Sequence, residues 1–213
     1  MLLLFLCRFC RRTAFVGCMA VAGGLFAAEP RTVIFFGDSL TAGYGLDDPS
    51  SEAYPARIQE KINAAGLGWR VVNAGLSGET TSGGLRRVDW ILRQPVDLFV
   101  LALGANDGLR GIDPALSREN LQKIIDRVRA KYPRAQLVLA GMQMPSAMGL
   151  EFSRSFEQMF PDVAAKNDAT LIPFLLEGVG GSVALNQPDR IHPTARGHAI
   201  IADQVWKILR PLL

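Results

Sequence analysis

Two histidines, a serine that follows an apolar run, and a carboxylate three residues before one histidine are the groups in this 213-residue chain whose types and spacing suit proton transfer from a nucleophile. The carboxylate and imidazole stand in Asp189-Arg190-Ile191-His192-Pro193. A carboxylate on the far ring nitrogen would fix the imidazole tautomer and stabilise the imidazolium formed during turnover. His198 has Ala195 at the corresponding spacing and is expected to be a solvated residue on the last helix. The serine is Ser39, in Gly37-Asp38-Ser39-Leu40. It does not lie in a Gly-x-Ser-x-Gly elbow, because position 41 is Thr. Taken alone, the segment reads as a tight turn capped by a serine. Serine and imidazole together would support covalent acyl transfer, which needs donors aimed at a developing oxyanion. Asn73-Ala74-Gly75 offers a backbone N–H beside a glycine, and Gly104-Ala105-Asn106-Asp107-Gly108 offers a side-chain amide. Each is an ordinary turn signature by itself; in combination their roles are complementary.

Such groups must be carried by elements that converge. Continuous Val, Ile, Leu and Phe content predicts strands over Thr32–Phe36, Arg70–Asn73, Asp97–Leu103, Gln136–Ala140 and Thr170–Phe174, buried on both faces as in a parallel sheet. Helical patterns occupy Pro55–Ala65, Gly84–Arg93, Ser117–Lys131 and Leu150–Lys166, with a last helix opened by Pro193 and running to Leu209. Leu121, Ile124, Ile125 and Val128 form one apolar stripe, and Trp90 and Trp206 are expected to pack in the core. Five strand–helix units without a linker predict one doubly wound α/β domain whose ligand crevice lies at the carboxyl ends of the strands. Ser39, Gly75 and Asn106 each follow a predicted strand, so they should share one edge of the sheet.

Charge placement separates a leader from the body. Arg8, Arg11 and Arg12 precede the first acidic residue, Glu29, leaving twenty basic and twenty acidic residues from Glu29 onward. A neutral body lacks the basic bias of a nucleic-acid binder. Residues 1–28 read as a signal peptide, with arginines, an apolar run from Thr13 to Phe26, and Ala27-Ala28 at the cleavage zone. Residues 29–213 form the expected functional domain, periplasmic or secreted. Cys7, Cys10 and Cys18 all fall in the leader, so the mature chain would have no thiol chemistry and no disulfide. Val16-Gly17-Cys18 loosely resembles a lipid-attachment sequence. No later stretch is apolar enough to span a bilayer.

The four blocks, Gly-Asp-Ser-Leu at 37–40, Gly75, Gly104-x-Asn106 and Asp189-x-x-His192, resemble in order the motif blocks of the SGNH (GDSL) hydrolase family. Asn-Asp-Gly-Leu-Arg-Gly at 106–111 and Ile191-His192-Pro193 are most similar to its periplasmic thioesterase, arylesterase and lysophospholipase branch. The resemblance implies a flavodoxin-like three-layer α/β/α sandwich with a five-stranded parallel sheet. It further implies Ser39 as nucleophile, His192 as base, Asp189 as its orienting partner, and an oxyanion hole from the Ser39 and Gly75 N–H groups and the Asn106 side chain. No cofactor and no metal are expected.

The expected substrate is a small acyl or aryl ester, a lysophospholipid or an acyl thioester, with no nucleic-acid partner and no stable membrane span in the mature form. Leu76, Leu109, Met142, Met144, Pro145 and Ile191 could line an apolar acyl groove or simply pack beneath the loops. Two other readings remain open at this level. One is an acetylesterase for O-acetylated polysaccharide, which requires a polar, aromatic-lined site. The other is a non-catalytic flavodoxin-like binding module.

Overall fold

Val33–Phe36 are buried without remainder, and the strand built on them, β1 (Arg31–Gly37), lies inside the sheet rather than at its edge. The structure, a computed structural model, describes residues 29–213; the leader assigned to 1–28 lies outside the described residues. After β1 come the short helices α1 (Ser39–Ala42) and α2 (Pro49–Glu52), then α3 (Tyr54–Ala64) and β2 (Trp69–Gly75). The chain continues through α4 (Thr81–Ile91), β3 (Leu98–Ala102), α5 (Ala105–Leu109), α6 (Pro114–Lys131) and β4 (Gln136–Ala140). It finishes with α7 (Leu150–Lys166), β5 (Thr170–Ile172) and α8 (Ala195–Leu209).

All strand pairs are parallel and the sheet order is β2-β1-β3-β4-β5. Helix α3 packs on α8, whereas α4 packs on α6 and α6 on α7, which gives the two helical layers of an α/β/α sandwich. The chain leaves β1 toward β2 and then crosses back past β1 to β3. Adjacent connections therefore diverge above β1 and β3, and a crevice opens at their carboxyl ends. Ser39 and Asn106 stand immediately after these two strands.

Several boundaries shift for local reasons. Helix α4 begins at Thr81 because the Thr80 side chain accepts from Gly83 N, and α6 begins at Pro114 because Asp113 caps Ala115 N. Pro193 does not open the last helix. Thr194 caps α8 by accepting from Gly197 N, and Pro193 lies in an isolated bridge with Asn186. Strand β5 stops before Pro173, which has no N–H for a ladder. Burial on both faces holds for β3 and fails at the edge, where Val71 and Val72 of β2 are only half-buried. The α6 stripe Leu121, Ile124, Ile125 and Val128 is fully buried. Trp90 is not core: it is 64% exposed on the outer face of α4, whereas Trp206 packs half-buried against the core.

Candidate active site

Sharp turns at the ends of β1 and β2 place Ser39. The Asp38 side chain accepts from Leu40 N at 3.0 Å and starts α1 immediately after the strand. Helix α1 then folds back against the sheet: a Cβ on Gly37 would overlap Thr41 Oγ1, and one on Gly75 would overlap the Ala42 backbone. Only glycine admits that approach at both strand ends. Asp38 is buried, and the resulting desolvation pushes its carboxyl up to about 7, with Glu79 and Asp107 adding repulsion. Sequence reasoning treated Asp38 only as part of a motif; its burial depends on neighbours remote in the chain.

Ser39 Oγ lies 2.9 Å from His192 Nε2, and His192 Nδ1 lies 2.6 Å from Asp189 Oδ2. The other Asp189 oxygen accepts from Ile191 N at 2.9 Å and from His192 N at 3.0 Å. These bonds close a tight turn in which Arg190 takes a left-handed φ of 61°. The backbone bond from His192, followed by its side-chain bond, holds the Asp189 carboxyl down at about 2. Asp189 is thus an acceptor at neutral pH, which puts the imidazole proton on Nδ1. In that tautomer Nε2 is an acceptor, so Ser39 Oγ–H donates to it. Gln187 ties the surrounding loops together. Its backbone N donates to His192 O at 2.7 Å, and its side-chain Nε2 donates to Tyr44 O at 2.7 Å and Pro193 O at 3.0 Å.

The expected oxyanion donors are placed unequally. Ser39 is the first residue of α1, where helix geometry leaves its N–H without an intrahelical acceptor. Asn106 Nδ2 gives one hydrogen to Glu79 O at 3.0 Å, leaving the second available, and Asn106 lines the same cavity as Ser39. Gly75 N donates to Asn73 Oδ1 at 3.0 Å, while Asn73 Nδ2 donates to Thr41 O at 2.8 Å. The Gly75 N–H is therefore engaged by a side chain and must share or release that bond to meet an oxyanion. Beneath Asn106, buried Asp107 accepts from Thr81 N at 2.8 Å, Thr81 Oγ1 at 2.6 Å and Ser117 Oγ at 3.1 Å, which pins α5 to α4 and α6. Glu79 is fixed in turn by Arg87.

A cavity of ≈ 560 Å³ opens beside Ser39, Asn106 and His192. Leu109, Met142, Met144, Pro145 and Ile191 line it. Leu76 does not: it is 50% exposed and borders a separate shallow groove with Gly78, Arg86 and Arg110, because the loop after β2 turns away from the cavity. Leu40, Phe174 and Leu176 also line the cavity and were missed. No motif marks them; Phe174 read as the end of a strand.

His198 also departs from expectation. It is 1% exposed, its Nδ1 accepts from Tyr54 N at 3.2 Å, and its ring stacks on that of Tyr54. Burial lowers its pKa to about 4, assisted by the positive charge of Arg57. Tyr54 Oη is 2.8 Å from Thr41 Oγ1, so His198 belongs to the packing beneath α1 rather than to the surface. Among the described residues, no group of three or more His, Cys, Asp or Glu side chains could hold a metal ion, and no helix is long and apolar enough to cross a membrane.

Residues 35–200 match the GDSL-like lipase/acylhydrolase family. The chain is similar to the esterase TesA of Pseudomonas aeruginosa, 38% identical over 92% of this chain and 96% of that protein. It is 36% identical to the thioesterase 1/protease 1/lysophospholipase L1 of Escherichia coli, over 88% of this chain and 87% of that one. The crystal structure of the psychrotrophic esterase EstA from Pseudoalteromonas sp., inhibited by monoethylphosphonate, superposes with a TM-score of 0.79 at 30% identity, covering 85% of this chain and 98% of that one.

Proposed function

This chain belongs to the GDSL-like lipase/acylhydrolase family, and from that premise we propose that it is a serine esterase whose nucleophile, base and orienting carboxylate are Ser39, His192 and Asp189. The observation that carries the proposal is the continuous chain from Ser39 Oγ through His192 to Asp189, with contacts of 2.9 and 2.6 Å, facing an apolar cavity.

His192 Nε2 takes the Ser39 proton as Oγ attacks the ester carbonyl carbon. The carbonyl π electrons move onto oxygen, where the Ser39 N–H and the free Asn106 hydrogen meet the charge. Gly75 N–H joins them once its bond to Asn73 is shared. Collapse of this intermediate expels the alkoxide or thiolate, which receives the proton from Nε2 and leaves an acyl-serine. Water, deprotonated by the same nitrogen, repeats the sequence and releases the acid. No step calls on a metal or cofactor.

The cavity's Leu, Met and Phe lining favours fatty-acyl over acetyl groups, since each buried methylene is worth up to ~0.8 kcal/mol. Short- to medium-chain esters, lysophospholipids and acyl thioesters fit that preference. An acetylesterase for polysaccharide fits it less well, because the cavity presents no tryptophan for a sugar to stack on. Residues 1–28 act as an export signal in this account, and residues 29–213 as the hydrolase domain working in the periplasm or outside the cell.

Nitrophenyl acetate, butyrate and decanoate, assayed with purified wild-type protein and Ser39→Ala, test the reading. Turnover should rise or hold from acetate to the longer esters and vanish in the variant. A rate that collapses beyond acetate would refute the acyl cavity; turnover by Ser39→Ala would refute the mechanism.

A further inference from the structure

The acyl cavity and the proton relay leave one exposed aromatic side chain at the site without a role. Tyr44 is 53% exposed, and its ring centroid lies 4.6 Å from that of His192 with the planes at 47°. It does not line the acyl cavity. A lone exposed tyrosine is ordinary on a protein surface; its position beside the proton donor is what matters here.

The main chain, rather than the side chain's own tip, fixes that position. Tyr44 N donates to Ser39 O at 3.0 Å, and Tyr44 O accepts from Gln187 Nε2 at 2.7 Å. The same Gln187 amide reaches Pro193 O, next to His192. The Tyr44 turn and the histidine loop are thus clamped as one unit, and the ring stays beside the imidazole.

Ester geometry then decides what the ring meets. The acyl and alkoxy parts of an ester leave the trigonal carbonyl carbon along different bonds and diverge from it. With the acyl part in the cavity and the carbonyl at Ser39, the alkoxy part must project away from the cavity. Its oxygen must also come within hydrogen-bond reach of His192 Nε2 to receive the proton. The first atoms of the leaving group therefore pass along the imidazole, on whose flank Tyr44 lies.

We propose that Tyr44 is a specificity residue: its ring forms a platform for the alcohol portion of the substrate and selects aromatic over small alkyl leaving groups. The proposal rests on the esterase reading and names the leaving-group class for the same site. A planar aromatic alcohol can stack on, or meet edge-on, the exposed ring, whereas an ethoxy group covers little of it.

The test compares phenyl and ethyl butyrate on wild-type protein, Tyr44→Phe and Tyr44→Ala. The readout is the phenyl-to-ethyl ratio of kcat/KM, which reports steps through leaving-group departure. Phenolate is intrinsically the better leaving group, but that advantage is the same for every variant and cancels when their ratios are compared. Tyr44→Ala should lower the ratio by about 3- to 10-fold, the worth of one aromatic pair, and Tyr44→Phe should preserve it. Equal losses on both esters would overturn the proposal and make Tyr44 only a support for His192. An unchanged ratio would overturn it as well. Failure of the wild-type protein to hydrolyse either ester would instead bring down the esterase reading, and this proposal with it.

Discussion

Replacing Asn106 with alanine removes one donor from the place where negative charge develops, and two separate consequences can be worked from its bonds. The side chain has two amide hydrogens: one goes to Glu79 O at 3.0 Å and the other is free toward the cavity shared with Ser39. Loss of the free hydrogen leaves the oxyanion with the Ser39 N–H and a Gly75 N–H already engaged by Asn73. An intact hole tolerates removal of one donor at about 10²- to 10³-fold in kcat, or ~3–4 kcal/mol. Because the Gly75 donor is partly committed, the loss should fall at the upper end of that range. The second bond sets the structural cost. Leaving Glu79 O without its partner removes a net ~1 kcal/mol of stability, far less than would unfold the protein. Steady-state kinetics on nitrophenyl butyrate and a thermal melt separate the two consequences. A kcat within fivefold of wild type, with a normal melt, would refute the role given to Asn106.

Other perturbations bear on the remaining parts of the site. Asp189→Asn keeps the shape of the carboxylate but favours the wrong imidazole tautomer, so kcat should drop by about 10⁴-fold while substrate binding persists; near-normal turnover would contradict the relay. Asp38→Asn keeps an oxygen for Leu40 N yet cannot ionise. The wild-type carboxyl rises from 3.8 unfolded to about 7 folded, so the folded state holds the extra proton between those values and stability falls as pH rises through that window. The variant's stability relative to wild type, from denaturant unfolding, should therefore increase from pH 5 to pH 8, and a constant difference would count against the buried neutral acid. His198→Ala removes the acceptor for Tyr54 N and opens a hole under α1, costing about 2–4 kcal/mol in a melt; an unshifted melt would contradict its burial.

The central strands were legible because runs such as Val33–Phe36 and Leu98–Ala102 are buried on both sides and carry no polar residue to disguise them. The candidate site could be picked out for a related reason. Asp189 and His192 are three residues apart, and Ser39 and Asn106 each sit just past a strand, so local sequence suggests where the candidate groups lie. What could not be read depends on contacts between distant segments. His198 is buried because Tyr54, 144 residues away, covers it. Leu76 and Trp90 are apolar residues whose direction is set by how a loop leaves β2 and how α4 rotates on α6. Phe174 and Leu176 reach the cavity from the segment after β5, which carries no chemical signature of its own. Composition and periodicity say which residues seek cover, and they are silent on what lies opposite.

Covalent trapping addresses the central claim most directly. Incubation with an ethyl nitrophenyl phosphonate, followed by peptide mass spectrometry, should place a single phosphonyl adduct on the peptide carrying Ser39. Loss of esterase activity should run in parallel, and Ser39→Ala should remain unlabelled. An adduct on a different residue with Ser39 unmodified, or full inactivation without any mass on Ser39, would contradict the account.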